Sequence, residues 1–195
     1  MCGIAGLLRP SSIDSDTAAV RAMLACLMRR GPDDDGLERL PHATFGHRRL
    51  SIQDLSAAGH QPMRSGDGRY VVVFNGELYN LDELLAALDV SPGALRSRSD
   101  TEVLLLAWER WGLGALERFA GQWAFAMADT VTGTTWLVRD RFGEKPLYVH
   151  RDAERVAFAS SLEALTRAPG VQRTLDETAL AEYLAVRWVL APRTL

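Results

Sequence analysis

Cys2-Gly3-Ile4-Ala5-Gly6-Leu7-Leu8 stands directly behind Met1. It holds no charge and no proline, and two glycines sit among aliphatic residues. It reads as a buried strand beginning at the very N-terminus, with a thiol on its first residue. Initiator methionine is normally removed when the next residue is small, and cysteine qualifies. The mature chain then begins at Cys2, and one residue carries both a thiol and a free α-amine. The reference pKa values are ~7.7 for the amine and ~8.5 for the thiol. A base near neutral pH beside a nucleophile is a self-contained catalytic unit that needs no histidine. Taken alone, Cys2 is more readily a small buried residue, because free cysteines are among the most buried types. Cys26, within an apolar helical face, is expected to be core.

The rest of the chain bounds the answer. Its 195 residues correspond to one domain with at most a short appendage, at ~100–200 residues per domain. With 47% hydrophobic and 24% charged residues, it is an ordinary globular composition, which excludes a disordered tail, a fibre or a disulfide scaffold. A net charge of −3 gives no basic excess for nucleic acid. No apolar run approaches the ~18 residues of a membrane span. The opening residues lack the basic n-region of a secretory signal. The two cysteines are therefore expected reduced, and the location cytoplasmic.

Apolar spacing predicts a helix over Thr17–Arg30, capped by Asp14, Ser15 or Asp16, with Arg29 and Arg30 near its C-terminal dipole. The segment from Gly31 to Gly36 reads as a loop. Strands are expected at Thr44–Ile52 and Tyr70–Phe74, the latter followed by the hairpin-turn dipeptide Asn75-Gly76. Asn80 is placed to cap a helix over Leu81–Leu88, and Ser99 with Glu102 to form a capping box on a helix ending near Trp111. Strands at Trp123–Met127, Thr134–Val138, Leu147–His150 and Val156–Ala159 precede short helices at Leu162–Arg167 and Glu177–Ala185. Two groups of antiparallel strands interleaved with helices make an α+β layered sandwich. A composition break falls near Pro169-Gly170. The histidines lack metal-ligand spacing, so no metal site is expected, and no glycine-rich phosphate loop is present.

Seven motifs occur in order: Met1-Cys2-Gly3-Ile4-Ala5-Gly6, Arg30-Gly31-Pro32-Asp33, Gly46-His47-Arg48-Arg49-Leu50-Ser51-Ile52, Gln61-Pro62-Met63, Phe74-Asn75-Gly76-Glu77-Leu78-Tyr79-Asn80, Ser99-Asp100-Thr101-Glu102, and Arg139-Asp140-Arg141-Phe142-Gly143-Glu144-Lys145-Pro146-Leu147-Tyr148. Together they closely resemble the N-terminal glutaminase domain of glutamine-hydrolysing asparagine synthetases, a class II glutamine amidotransferase. The resemblance runs from Cys2 to about Leu165. It implies an N-terminal-nucleophile hydrolase fold, a four-layer αββα sandwich of two stacked antiparallel sheets between helices. One departure is Ser161, where the family usually has Glu.

The resemblance also implies roles. Cys2 is the nucleophile, and the Asn75 side chain with the Gly76 amide forms the oxyanion hole. Arg49 holds the glutamine α-carboxylate, for which its planar fork is suited. Backbone groups of Leu50 and Ile52 line the same pocket. Asp100 holds the α-ammonium, with Glu77 assisting at the amino end. Arg30-Gly31-Pro32-Asp33, a helix terminator by local chemistry, belongs to the surroundings without a catalytic role. A clamp on both charges selects free glutamine.

Residues 1–168 are expected to be the glutaminase domain, and 169–195 a linker with the first helical segment of a synthetase domain absent from this chain. The partners expected are L-glutamine and a synthetase domain, in cis or in trans. The resemblance also allows a homodimer. No cofactor is expected here, because ATP and magnesium belong with the synthetase domain. The competing readings are an N-terminal-cysteine hydrolase acting on another amide, and a catalytically silent domain serving as an interface. Arg49 and Asp100 argue against the first, and the presence of Cys2 and Asn75 against the second.

Overall fold

Successive side chains on a strand point to opposite faces, and in this protein the central strands β1 and β9 of one sheet and β5 and β6 of the other are largely apolar on both. The structure is a computed structural model, and it describes residues 1–194. Its strands are β1 (Gly3–Leu8), β2 (Asp34–Arg39), β3 (Ala43–Arg49), β4 (Met63–Arg64), β5 (Tyr70–Leu78), β6 (Gly121–Asp129), β7 (Thr135–Arg139), β8 (Tyr148–Arg151) and β9 (Val156–Ala159). Its helices are α1 (Asp14–Ala25), α2 (Leu81–Leu88), α3 (Asp100–Trp111), α4 (Leu162–Leu165) and α5 (Glu177–Val186).

One antiparallel sheet has the order β2-β3-β1-β9-β8 and the other β4-β5-β6-β7. Ile4, Phe45 and Phe158 of the first sheet meet Val71, Val73, Ala124 and Ala126 of the second in a core between the sheets. On the outer face of the first sheet, Ala5, Leu7, Ala157 and Ala159 pack against Val20, Met23 and Leu24 of α1 and Ala164 and Leu165 of α4. On the outer face of the second, Val72, Phe74, Phe125 and Met127 pack against Leu84 of α2 and Leu104 and Trp108 of α3. Three cores separate four layers, in the αββα order that the resemblance implied.

Several local readings are corrected. Asn75-Gly76 makes no hairpin turn. Both residues lie inside β5, paired with β6 in unbroken register from Tyr70↔Asp129 to Leu78↔Gly121, so long-range pairing overrides the local turn preference. Gly31–Gly36 is not all loop, because Asp34 onward forms β2 against β3. The N-cap of α1 is Ile13, whose amide donates to Asp16 Oδ2 at 2.9 Å, and the helix stops at Ala25 rather than Arg30. Asn80 spends its amide elsewhere: it accepts from Ala120 N–H at 3.0 Å and donates to Arg118 O at 2.9 Å. Ser99 does cap α3 through Thr101 N–H, but Glu102 accepts from the Arg96 and Ser97 amides instead of closing a box. Cys26 is half-buried at the edge of the core under α1. Ser161, at the position of departure, caps α4 by accepting from Ala164 N–H.

Candidate active site

Cys2 sits one residue before β1, where the space between the sheets opens to solvent. The Leu50 amide approaches its sulfur at 3.4 Å, and Arg30 Nε donates to its carbonyl at 3.1 Å. Arg30 thus fixes the main chain of Cys2 and does not sit at the end of a helix dipole. Burial pushes the Cys2 thiol above its ordinary pKa, with the Leu50 amide and the positive amino terminus pulling the other way. Asp33 extends the same brace. Its amide donates to Arg49 O at 3.0 Å, and its Oδ2 accepts from Ser51 N–H at 2.7 Å.

Arg49 ends β3 and is buried, only 7% exposed. The loop after it folds back over the guanidinium. Nη1 donates to Ser56 O at 2.7 Å, and Nη2 donates to Asp54 O. Gly59 lies so close that a Cβ there would stand 2.0 Å from Nη2. Asp54 ties this loop to the start of α3, accepting from the amides of Ser56 and Arg98 at 2.8 Å each. The Ser56 hydroxyl, followed by those amides, holds its carboxyl well below the usual range.

The decisive element is the edge of β5 opposite β6. β4 pairs with it only at Val71 and Val72. Beyond that point the edge is free, and even-numbered amides face it. Phe74 N–H donates to Gln61 Oε1 at 2.7 Å, and Leu78 N–H to Asp100 Oδ2 at 3.1 Å. Strand alternation turns the Gly76 N–H, midway between them, the same way. Gly76 itself is required, since a Cβ would stand 2.5 Å from the Gln122 carbonyl on β6. Odd-numbered side chains of β5 face the first sheet, so Asn75 continues the row of Val71 and Val73 toward Cys2. Asn75 is 1% exposed, and its Nδ2 has no hydrogen-bond partner among the described residues. A buried donor left unpaired costs about 1–3 kcal/mol and calls for an explanation.

Asp100, at the first turn of α3, is also buried. Desolvation, followed by the charge of nearby Glu77, raises its pKa to about 6 despite the Leu78 and Thr101 amides. His47 on β3 is fully buried, and its Nε2 lies 3.2 Å from Phe74 O. A carbonyl only accepts, so Nε2 carries the hydrogen. Burial holds the ring neutral, with a pKa of about 3. Asp140 collects four amides, those of Trp123, Phe142, Glu144 and Lys145. That pins the loop after β7 to β6 and brings Lys145 to the site, 7% exposed.

Cys2, Arg49, Leu50, Ile52, Asn75, Gly76, Glu77 and Asp100 all line one open cleft, together with Met1, Gln61, Thr101 and Lys145. Every residue given a catalytic or substrate-binding role from the sequence is therefore gathered in one place. Gln61 and Lys145 lay in quoted motifs but had no assigned part, and only the tertiary structure gives them one.

A family model described as a glutamine amidotransferase domain matches residues 1–195. The chain belongs to the glutamine amidotransferase family. The putative asparagine synthetase [glutamine-hydrolyzing] of Mycobacterium tuberculosis (strain H37Rv) is 38% identical over 216 residues, covering 100% of this chain and 33% of that protein. Asparagine synthetase [glutamine-hydrolyzing] 1 of Bacillus subtilis is 35% identical over 198 residues, covering 100% of this chain and 31% of that protein. The chain thus spans about a third of the length of these relatives. Among solved structures, glutamine phosphoribosylpyrophosphate amidotransferase from B. subtilis superposes with a TM-score of 0.70 at 20% identity, over 84% of this chain and 42% of that one. At that identity the likeness carries the fold, which is the N-terminal-nucleophile sandwich of these amidotransferases. No helix among the described residues is long and apolar enough to cross a membrane.

Proposed function

We propose that this amidotransferase chain hydrolyses free L-glutamine to glutamate and ammonia through a thioester on Cys2. The observation that carries the proposal is the buried, unpartnered Asn75 amide beside the free Gly76 N–H, in the cleft that holds the Cys2 thiol. Among the described residues, Asn75 Nδ2 is given no acceptor, and strand alternation turns the Gly76 N–H to the unpaired edge of β5. An oxyanion is such an acceptor.

With Met1 removed, the Cys2 α-amine is the general base. Glutamine enters as a zwitterion, its carboxylate on Arg49 and its ammonium between Asp100 and Glu77. The amine takes the thiol proton, directly or through a water. The sulfur attacks the side-chain amide carbon, and the oxygen becomes an oxyanion held by Asn75 Nδ2 and Gly76 N–H. The C–N bond then breaks, the amine returns the proton to the departing nitrogen, and ammonia leaves. Water attacks the resulting γ-glutamyl thioester by the same route, releasing glutamate and the thiol.

Residues 1–168 are the glutaminase unit, and 169–195 lead into an ATP- and magnesium-dependent synthetase domain that consumes the ammonia. The length of the relatives supports this, as do the exposed apolar Leu184, Val186 and Trp188 in and just beyond α5. The setting is the cytoplasm, where Cys2 stays a thiol. The test is glutamate release from L-glutamine, with the N-terminal mass read on the same sample and Cys2→Ala as the blank. Release that depends on Cys2, with Met1 gone, is expected. Release that persists in Cys2→Ala would sink the mechanism.

A further inference from the structure

We propose that Gln61 is a positioning residue for the oxyanion hole, holding the free edge of β5 so that the Gly76 amide points at the reacting carbonyl. The inference rests on the glutaminase reading of the cleft and deepens it. Gln61 is 4% exposed, and both ends of its amide are engaged. Oε1 accepts from Phe74 N–H at 2.7 Å, and Nε2 donates to Thr101 Oγ1 at 3.1 Å. Phe74 is the last even-numbered residue before Gly76 on the unpaired edge. Where a neighbouring strand would normally line this edge, side chains hold it at two points, Gln61 at Phe74 and Asp100 at Leu78. At the same residue, His47 Nε2 donates to Phe74 O. Thr101 follows Asp100 on α3, so Gln61 also references the edge to the helix that carries the ammonium contact. β6 pairs the other edge throughout, so losing one of the two side-chain holds on this edge tilts its peptides slightly without unpairing the strand. A rotation at Phe74 re-aims the next amide on that edge, which is that of Gly76.

A purely structural role would lower stability and weaken every ligand alike. A positioning role weakens only ligands that form an oxyanion. The test uses the chain with Met1 removed and two probes. One is L-glutamate, which engages the clamp alone. The other is the γ-aldehyde analogue of glutamine, to which the Cys2 thiol adds, with a new C–S bond and the carbonyl oxygen entering the hole. In Gln61→Met, matched in length but unable to hold the two bonds, aldehyde affinity is expected to fall about tenfold, with glutamate affinity within about twofold. Glutamine turnover should show the same division, with kcat reduced and KM nearly unchanged. Gln61→Glu should recover most of the loss, because the Thr101 hydroxyl can turn to donate. Thr101→Val should shift the ratio in the same direction as Gln61→Met, and it serves if Gln61→Met fails to fold. An unchanged aldehyde-to-glutamate ratio in both Gln61→Met and Thr101→Val would overturn the inference while leaving the site reading intact. Failure of the unaltered chain to bind either probe would overturn the site reading and the inference with it.

Discussion

The Leu78 amide donates to Asp100 Oδ2 at 3.1 Å. The carboxyl proposed to receive the substrate's ammonium is therefore anchored on the strand edge that also presents Gly76. Burial raises its pKa to about 6, and only its ionised form attracts an ammonium. As pH falls through about 6, kcat/KM for glutamine should decline, tending to about tenfold per pH unit. Asp100→Asn should lose this break along with most of its affinity. A kcat/KM profile that is flat between pH 7 and pH 5 would contradict the assignment.

The same burial has a stability consequence of opposite sense. The folded pKa of Asp100 lies above its ordinary value of 3.8. The fold therefore gains stability from protonation as pH falls through about 6, and at pH 7 it carries the full cost of an ionised buried carboxylate. Asp100→Asn should raise the Tm at pH 7, with a gain of about 1–3 kcal/mol. The gain should shrink as pH drops from about 6 to about 4, where the native carboxyl is itself neutral. Thermal melts across that range provide the check, and a lower Tm for Asp100→Asn at pH 7 would reject the desolvation argument.

Removing the unpartnered donor should affect the chemical step. Asn75→Ala is expected to lower kcat by about 10²–10³, with a much smaller change in KM. Because Asn75 Nδ2 has no hydrogen-bond partner among the described residues, the substitution should cost little stability. Steady-state kinetics beside a thermal melt separate the two effects, and an unaltered kcat would remove Asn75 from the oxyanion hole.

The Arg49 guanidinium offers a more local test. A Cβ at Gly59 would overlap Nη2, and the flexible end of the arginine must give way. Gly59→Ala should raise KM for glutamine about tenfold by displacing the carboxylate partner, while the Tm moves by no more than a few degrees. Equal losses of stability and affinity would instead mean that the whole loop over Arg49 collapses.

Most elements of the fold were legible in the chain because their residues follow simple periods, whereas the four-layer order came from the resemblance. α2, α3 and β9 fall almost where spacing puts them. β2 was not legible. Asp34-Asp35-Gly36-Leu37-Glu38-Arg39 has no apolar alternation, and it becomes a strand only because β3 offers it an edge. Asn75-Gly76 misled for the same physical reason, since its partner β6 lies about fifty residues away and nothing local announces it. The site residues were recognisable from their motifs, and the structure collects them in one cleft. The supporting contacts of Gln61, His47 and Asp140 had no sequence cue beyond membership of those motifs, because each is defined by which distant amide or carbonyl it meets.

β4 is only two residues long. Bare strand edges are where foreign chains add themselves and aggregation begins, and proteins usually blunt them with charge, proline or a cover. Here the exposed stretch of β5 is occupied by side chains at Phe74 and Leu78 and recessed in a cleft. Only a ligand small enough to enter the cleft can reach the amide left between them. In the proposed glutaminase the unfinished sheet is a size filter, closed to polypeptide strands and open to a single amino acid.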